Sequence, residues 1–227
     1  MPHDVDHRAI LARVGRAEPF VKRIDPRRTA HLVVDMQNGF MEADAPVEVS
    51  QAREVVAEIN RISAALRRAG GLNVFLHYTS PQAGDTSWSS FAERLGPKAA
   101  AAHDAAFARD SHHWRLWPEL DVAEGDLAVE KRRFSAFVTG SSDLHATLQE
   151  RGIDTVIVTG TMSNCCCEST ARDAMQLNYK VVFVPDATAA STDHEHAATL
   201  HTMARVFADL IGSDELVAMI ERAKVPA

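Results

Sequence analysis

Short runs of β-branched residues alternate along this chain with longer segments whose apolar residues recur at helical spacing, and few architectures accommodate that rhythm. HLVVDM (31–36), LNVFLHY (72–78), LAVEK (127–131), TVIVTG (155–160) and YKVVFVPDA (179–187) read as strands. Helical spacing marks residues 50–69, where Val55, Val56, Ile59, Ile62 and Leu66 share a stripe that stops at Gly70-Gly71. Further helices are expected over 143–152, 164–178, 194–210 and 213–222. Strands separated by helices imply βαβ units, hence a parallel sheet covered on both faces. The expected fold is a single Rossmann-like α/β domain over residues 28–227, with a sheet of about six strands and an N-terminal extension over 1–27. Residues 79–126 break the rhythm, with only a weak helical stretch near 98–109, and a connection of that size is expected to cover or bind something.

Composition narrows the partners. The chain has 24 Lys+Arg against 31 Asp+Glu, a net charge of −7, and no long basic run, which argues against a nucleic acid or an anionic membrane surface. The start of the chain lacks a signal-peptide pattern and no 18 apolar residues run together, so no membrane partner is expected. The three cysteines, Cys165, Cys166 and Cys167, are consecutive and cannot staple distant segments; the chain reads as cytoplasmic with reduced thiols. A small-molecule partner is what remains.

In open α/β sheets ligands bind beyond the carboxyl ends of the strands. Three chemically capable residues fall there: Asp35 after the first strand, Lys131 at the end of LAVEK, and the thiols after TVIVTG. A helix N-terminus and a nearby ammonium both favour a thiolate, and a carboxylate can take the thiol proton. Each has a plainer explanation: Asp35 as a turn cap, Lys131 as a solvated cation, the thiols as small core residues. On a helix from Asn164, Cys167 shares a stripe with Ala171, Ala174 and Met175, the expected core face. Cys165 and Cys166 are left nearer the polar side, and periodicity does not choose between them.

At these residues the chain resembles the isochorismatase-like cysteine hydrolases, a group that includes nicotinamidase, N-carbamoylsarcosine amidase, ureidoacrylate amidohydrolase and biuret hydrolase. The resemblance rests on HLVVDMQNGF (31–40), VEKRRFSAF (129–137), TVIVTGTMSNCCCESTARDAMQLNYKVVFVPDATAA (155–190) and the closing His/Ala-rich helix. The family's thiol motif falls on Gly160, Ser163, Asn164, Cys166, Thr170, Ala171, Arg172, Asp173 and Ala174, with Ser163 in place of the usual Thr. The resemblance implies Cys166 as nucleophile, Asp35 as general base, Lys131 as third member, an oxyanion hole made by the amides of Met162 and Cys166, and a cis Thr161–Met162 peptide. It also implies a homo-oligomer, a dimer or tetramer.

The Asp-x-His of the nicotinamidase metal site is missing. LHYTSPQAGDTSW offers only His77 and a distant Asp85, so no metal and no cofactor are expected. Neither Asp193-His194-Glu195-His196 nor His112-His113 has ligand spacing for one helix face. The expected activity is hydrolysis of a C–N bond in a small amide, carbamoyl or ureido compound through a thioester. Hydrolysis of a vinyl ether or ester at the same site, a redox-sensing thiol, and a non-catalytic binding protein are the alternatives. Phe40, His77, Trp88 and Phe137 are the candidate substrate-binding residues, with Trp114 behind them. Gln37 and Asn38 are expected to hydrogen-bond around Asp35, and at most one of Arg132 and Arg133 to face the site.

Overall fold

A computed structural model describes residues 3–16, 18–81 and 88–223; Asp85 lies outside them. The elements follow as α1 (His7–Arg13), β1 (Thr29–Val34), α2 (Asn38–Met41), α3 (Val56–Arg68), β2 (Leu72–Tyr78), α4 (Ser89–Leu95), α5 (Pro97–Ala106), β3 (Leu127–Lys131), α6 (Leu144–Glu150) and β4 (Thr155–Thr161). The chain closes with α7 (Glu168–Gln176), β5 (Lys180–Ala189), α8 (Asp193–Thr202), β6 (Asp209–Leu210) and α9 (Ser213–Arg222). The six strands form one parallel sheet in the order β3-β2-β1-β4-β5-β6.

Side chains that alternate along a strand point to opposite faces, and the core divides accordingly. Val33 and Phe75 pack on one face with Ile59, Ile62 and Leu66 of α3 and Leu216 and Ile220 of α9. Leu32, Val34, Val74 and Leu76 pack on the other with Leu144 and Leu148 of α6, Ala171 and Ala174 of α7, and Leu200 of α8. β1 is buried at every position, as a central parallel strand covered on both sides must be. Helix α3 ends where sequence puts Gly70, which takes φ +81°, a conformation that costs glycine little, while the Gly71 amide closes back on Leu66 O at 2.9 Å.

One expectation is corrected. The helix expected over 194–210 ends at Thr202; a wide turn over Met203–Phe207 follows, and Asp209–Leu210 becomes the sixth strand, pairing with Val182 and Phe183. The segment before β1 carries helix α1, N-capped by the Asp6 side chain, which accepts from the amides of Arg8 and Ala9. Within that segment Val21 and Ile24 are core residues. Among the described residues no helix is long and apolar enough to cross a membrane.

Candidate active site

β3, β2, β1 and β4 end side by side at the carboxyl end of the sheet, and the ends of β1, β3 and β4 carry the chemistry. Asp35 follows β1 with φ +50°, and its amide makes the last ladder bond of that strand, donating to Leu76 O at 3.1 Å. Lys131 is the last residue of β3, opposite Tyr78 of β2. Lys131 Nζ lies 2.8 Å from Asp35 Oδ2, and both side chains are fully buried. The ammonium also donates to Arg133 O at 3.0 Å and sits 5.4 Å from the centre of the Tyr78 ring. Burial alone would lower the Lys131 pKa, but the Asp35 carboxylate and then Cys166 outweigh it and hold it above its ordinary value.

β4 reaches the same end through a close approach that only glycine permits. A Cβ on Gly160 would stand 2.2 Å from Val34 O, and its φ is +104°. The next peptide, Thr161–Met162, is cis. The chain then makes a wide π-type turn over Ser163–Cys167 before α7 begins. Within it the Met162 carbonyl accepts from the amides of Cys165 and Cys167, both at 3.1 Å, passing over the amide of Cys166.

The burial of this stretch brings a second correction. A plain helix from Asn164 would put Cys166 nearer the polar side and Met175 on the core face. In the structure Cys166 and Cys167 are both buried, and Met175 is 41% exposed. Cys167 Sγ is turned to Thr159 O at 3.8 Å, deep in the core, and Cys165 is half-buried. The thiols are electrostatically unequal. A hydrogen bond from Cys166 holds the Cys165 thiol low, with Lys131 helping against burial. That same hydrogen bond, then burial and the Asp35 carboxylate, push Cys166 up against the pull of Lys131. Cys166 at rest is therefore a protonated thiol beside a carboxylate, an arrangement suited to activation by a base.

Aromatic side chains gather around this end, largely from the 79–126 connection. Phe40 packs on Phe107 at 4.7 Å between centroids, and Phe107 on Tyr78 at 5.4 Å. Trp88 stacks on Phe91 at 4.4 Å and meets Phe134 edge-on at 4.9 Å, with the Arg133 guanidinium 5.0 Å from its ring. His77 is buried, and its ring lies 4.8 Å from Trp114. Burial keeps that histidine below its ordinary pKa.

Phe137 is placed elsewhere, against Tyr179 at 5.6 Å and His145 at 6.4 Å. The residue from that stretch that joins the rings is Phe134, and Tyr78, which no motif marked, stands between Lys131 and Phe107. Gln37 and Asn38 are also corrected, because their side chains are spent on holding the connection. Gln37 Nε2 donates to Tyr78 O at 3.0 Å and Trp114 O at 2.8 Å, and Asn38 Nδ2 to His112 O at 3.0 Å.

Comparison with known proteins agrees with this arrangement. The Isochorismatase domain model matches residues 29–215. Ureidoacrylate amidohydrolase RutB of Pseudomonas savastanoi pv. phaseolicola is 32% identical over 218 residues, covering 90% of this chain and 88% of that protein. Among solved structures, a cysteine hydrolase from Pseudomonas syringae pv. phaseolicola superposes with a TM-score of 0.80 at 30% identity, over 89% of this chain and 96% of the other. N-carbamoylsarcosine amidase from Thermoplasma acidophilum gives a TM-score of 0.68 at 25% identity, over 83% and 98%. A family match that runs from the first strand into the last helix, on a sheet whose carboxyl end gathers a carboxylate, an ammonium and a thiol, places this chain in the isochorismatase family.

Proposed function

We propose that this protein is a cysteine-dependent hydrolase that cleaves a C–N bond in a small amide, carbamoyl or ureido compound. The observation that carries the reading is the fully buried Asp35–Lys131 pair at 2.8 Å at the strand ends, with the buried Cys166 thiol on the turn that follows β4. Burying two charges is expensive, and a buried pair is weak evidence for stability, whereas a dry carboxylate next to a thiol is what base activation needs. RutB and N-carbamoylsarcosine amidase, two similar proteins with named activities, support the ureido and carbamoyl end of that substrate range.

In this reading Asp35 takes the Cys166 proton as sulfur attacks the substrate carbonyl. The oxyanion is met by the amides of Met162 and Cys166. Lys131 stabilises the thiolate and keeps Asp35 oriented. Asp35 passes its proton to the departing nitrogen, leaving a thioester on Cys166. It then takes a proton from water, which attacks the thioester and frees the acid and the thiol. The ring cluster around Phe40, Trp88, Phe134 and Trp114 forms the wall nearest this chemistry.

The test is ammonia or amine release from a panel of small amides, ureas and carbamoyl acids, with Cys166→Ala in parallel. Release by the wild type that vanishes in Cys166→Ala supports the reading. Activity that survives in Cys166→Ala overturns it.

A further inference from the structure

The hydroxyl of Ser163, the first residue of the wide turn, lies 2.8 Å from His196 Nδ1. His196 belongs to the Asp193-His194-Glu195-His196 run on α8 and is 1% exposed. Burial holds it at about 3, so its ring is neutral. His3 comes from the other end of the chain and is itself 4% exposed. Its ring lies parallel to that of His196, 4.2 Å between centroids and 13° between planes. His3 Nε2 accepts the Ala190 amide at 3.1 Å, so that nitrogen carries no proton and Nδ1–H donates to Asp193 Oδ1 at 2.7 Å.

Every hydrogen-bonding atom of the His3 ring is thus committed. Its partner Ala190 directly follows Ala189, whose carbonyl accepts from Thr161 Oγ1 and which pairs with Thr161 in the sheet. The two histidines therefore back the turn from both sides of the Thr161–Met162 peptide. Helix α1 anchors the segment, since Ile10, Leu11 and Val14 pack against the cluster that contains Cys166.

We propose that His3 and His196 are positioning residues for the oxyanion turn. His3, fixed by Asp193 and the Ala190 amide, holds the His196 ring in place. His196 fixes Ser163, and Ser163 aims the amides of Met162 and Cys166. This rests on the Cys166 chemistry proposed above, but it assigns work to residues remote from the reacting atoms. A purely structural role would lower stability and leave oxyanion binding per folded molecule unchanged, so the test must read the oxyanion itself.

A reversible aldehyde adduct does so without turnover. Cys166 sulfur bonds to the aldehyde carbon, the thiol proton passes to Asp35, and the former carbonyl oxygen, left as an oxyanion, occupies the hole. Acetaldehyde and benzaldehyde would be titrated as protectants of Cys166 against iodoacetamide, with alkylation located by mass spectrometry in the tryptic peptide spanning residues 152–172. His3→Ala and Ser163→Ala are expected to weaken aldehyde binding about tenfold while alkylation of Cys166 without aldehyde changes less than about twofold. Ser163→Thr, which keeps the hydroxyl, should bind aldehyde like the wild type, and His3→Gln serves if His3→Ala does not fold.

Unchanged aldehyde affinity in the His3 and Ser163→Ala variants overturns the inference, as does an equal loss of alkylation and aldehyde binding. No protection of the wild type by either aldehyde overturns the oxyanion reading and this inference with it. Protection of the wild type without ammonia release from the panel indicts only the substrate class.

Discussion

Separating the Asp35–Lys131 pair tests whether it is built for chemistry or for stability. At 2.8 Å the two charges attract by about 6 kcal/mol at an effective dielectric of 20, a gain largely consumed by taking them out of water. Lys131→Met leaves the Asp35 carboxylate buried without a counter-charge, and Asp35→Asn does the same to the ammonium. Each single variant should lose about 3–5 kcal/mol, equivalent for a chain of this size to a fall in Tm of roughly 10 °C. The double variant Asp35→Asn/Lys131→Met buries no charge and should return to within about 1 kcal/mol of the wild type. All three should be inactive. Urea unfolding at pH 7, followed by the fluorescence of the three tryptophans, gives the cycle. Because the folded Lys131 pKa lies above its unfolded value, the stability tied to this lysine is complete below about pH 10 and is lost only as pH rises through the folded value. Single variants whose losses simply add in the double, to within about 0.5 kcal/mol, would refute the reasoning.

The fold should also weaken in mild acid, because His31 and His196 are buried and held at about 3. The unfolded chain takes up those protons below about pH 6.5, so each costs about 2 kcal/mol at pH 5. The urea midpoint should fall between pH 7 and 5, and an unchanged slope in His31→Gln would contradict this. Gly160→Ala drives a Cβ into the Val34 backbone and forces a strained φ, and should cost about 3 kcal/mol or more, read as lost soluble protein or lowered Tm. Cys165→Ala should keep most of the activity that Cys166→Ala abolishes, measured as ammonia release; the reverse pattern would move the nucleophile to Cys165.

What the sequence made legible, and what it did not, follows from range. Strands β1, β2, β4 and β5 announce themselves because parallel strands buried on both faces read as nearly continuous apolar runs rich in Val, Ile and Leu, while the edge strand β3 is marked by its short LAVEK run. β6 is two residues long and leaves no such run, so helical periodicity carried the expected helix through it. Asp35, Lys131 and the thiols could be gathered at one end because strand ends are countable. The choice of Cys166 came from resemblance, since periodicity finds the buried stripe of Cys167, Ala171 and Ala174 but does not say which thiol acts. Phe134 rather than Phe137 meets Trp88 because the chain bends after Lys131, and no periodicity describes that bend. The stacking of His3 on His196 joins residues at opposite ends of the chain, and no local pattern encodes it.

The most direct test of the central claim is to catch the acyl group on sulfur. A turnover mixture with the best substrate of the panel would be quenched in acid within milliseconds and digested, and the peptide spanning residues 152–172 fragmented in the mass spectrometer. The account predicts an added mass equal to the acyl half of the substrate on Cys166, absent in Asp35→Asn. An acyl group on Cys165, or full turnover with the peptide never modified, would contradict it.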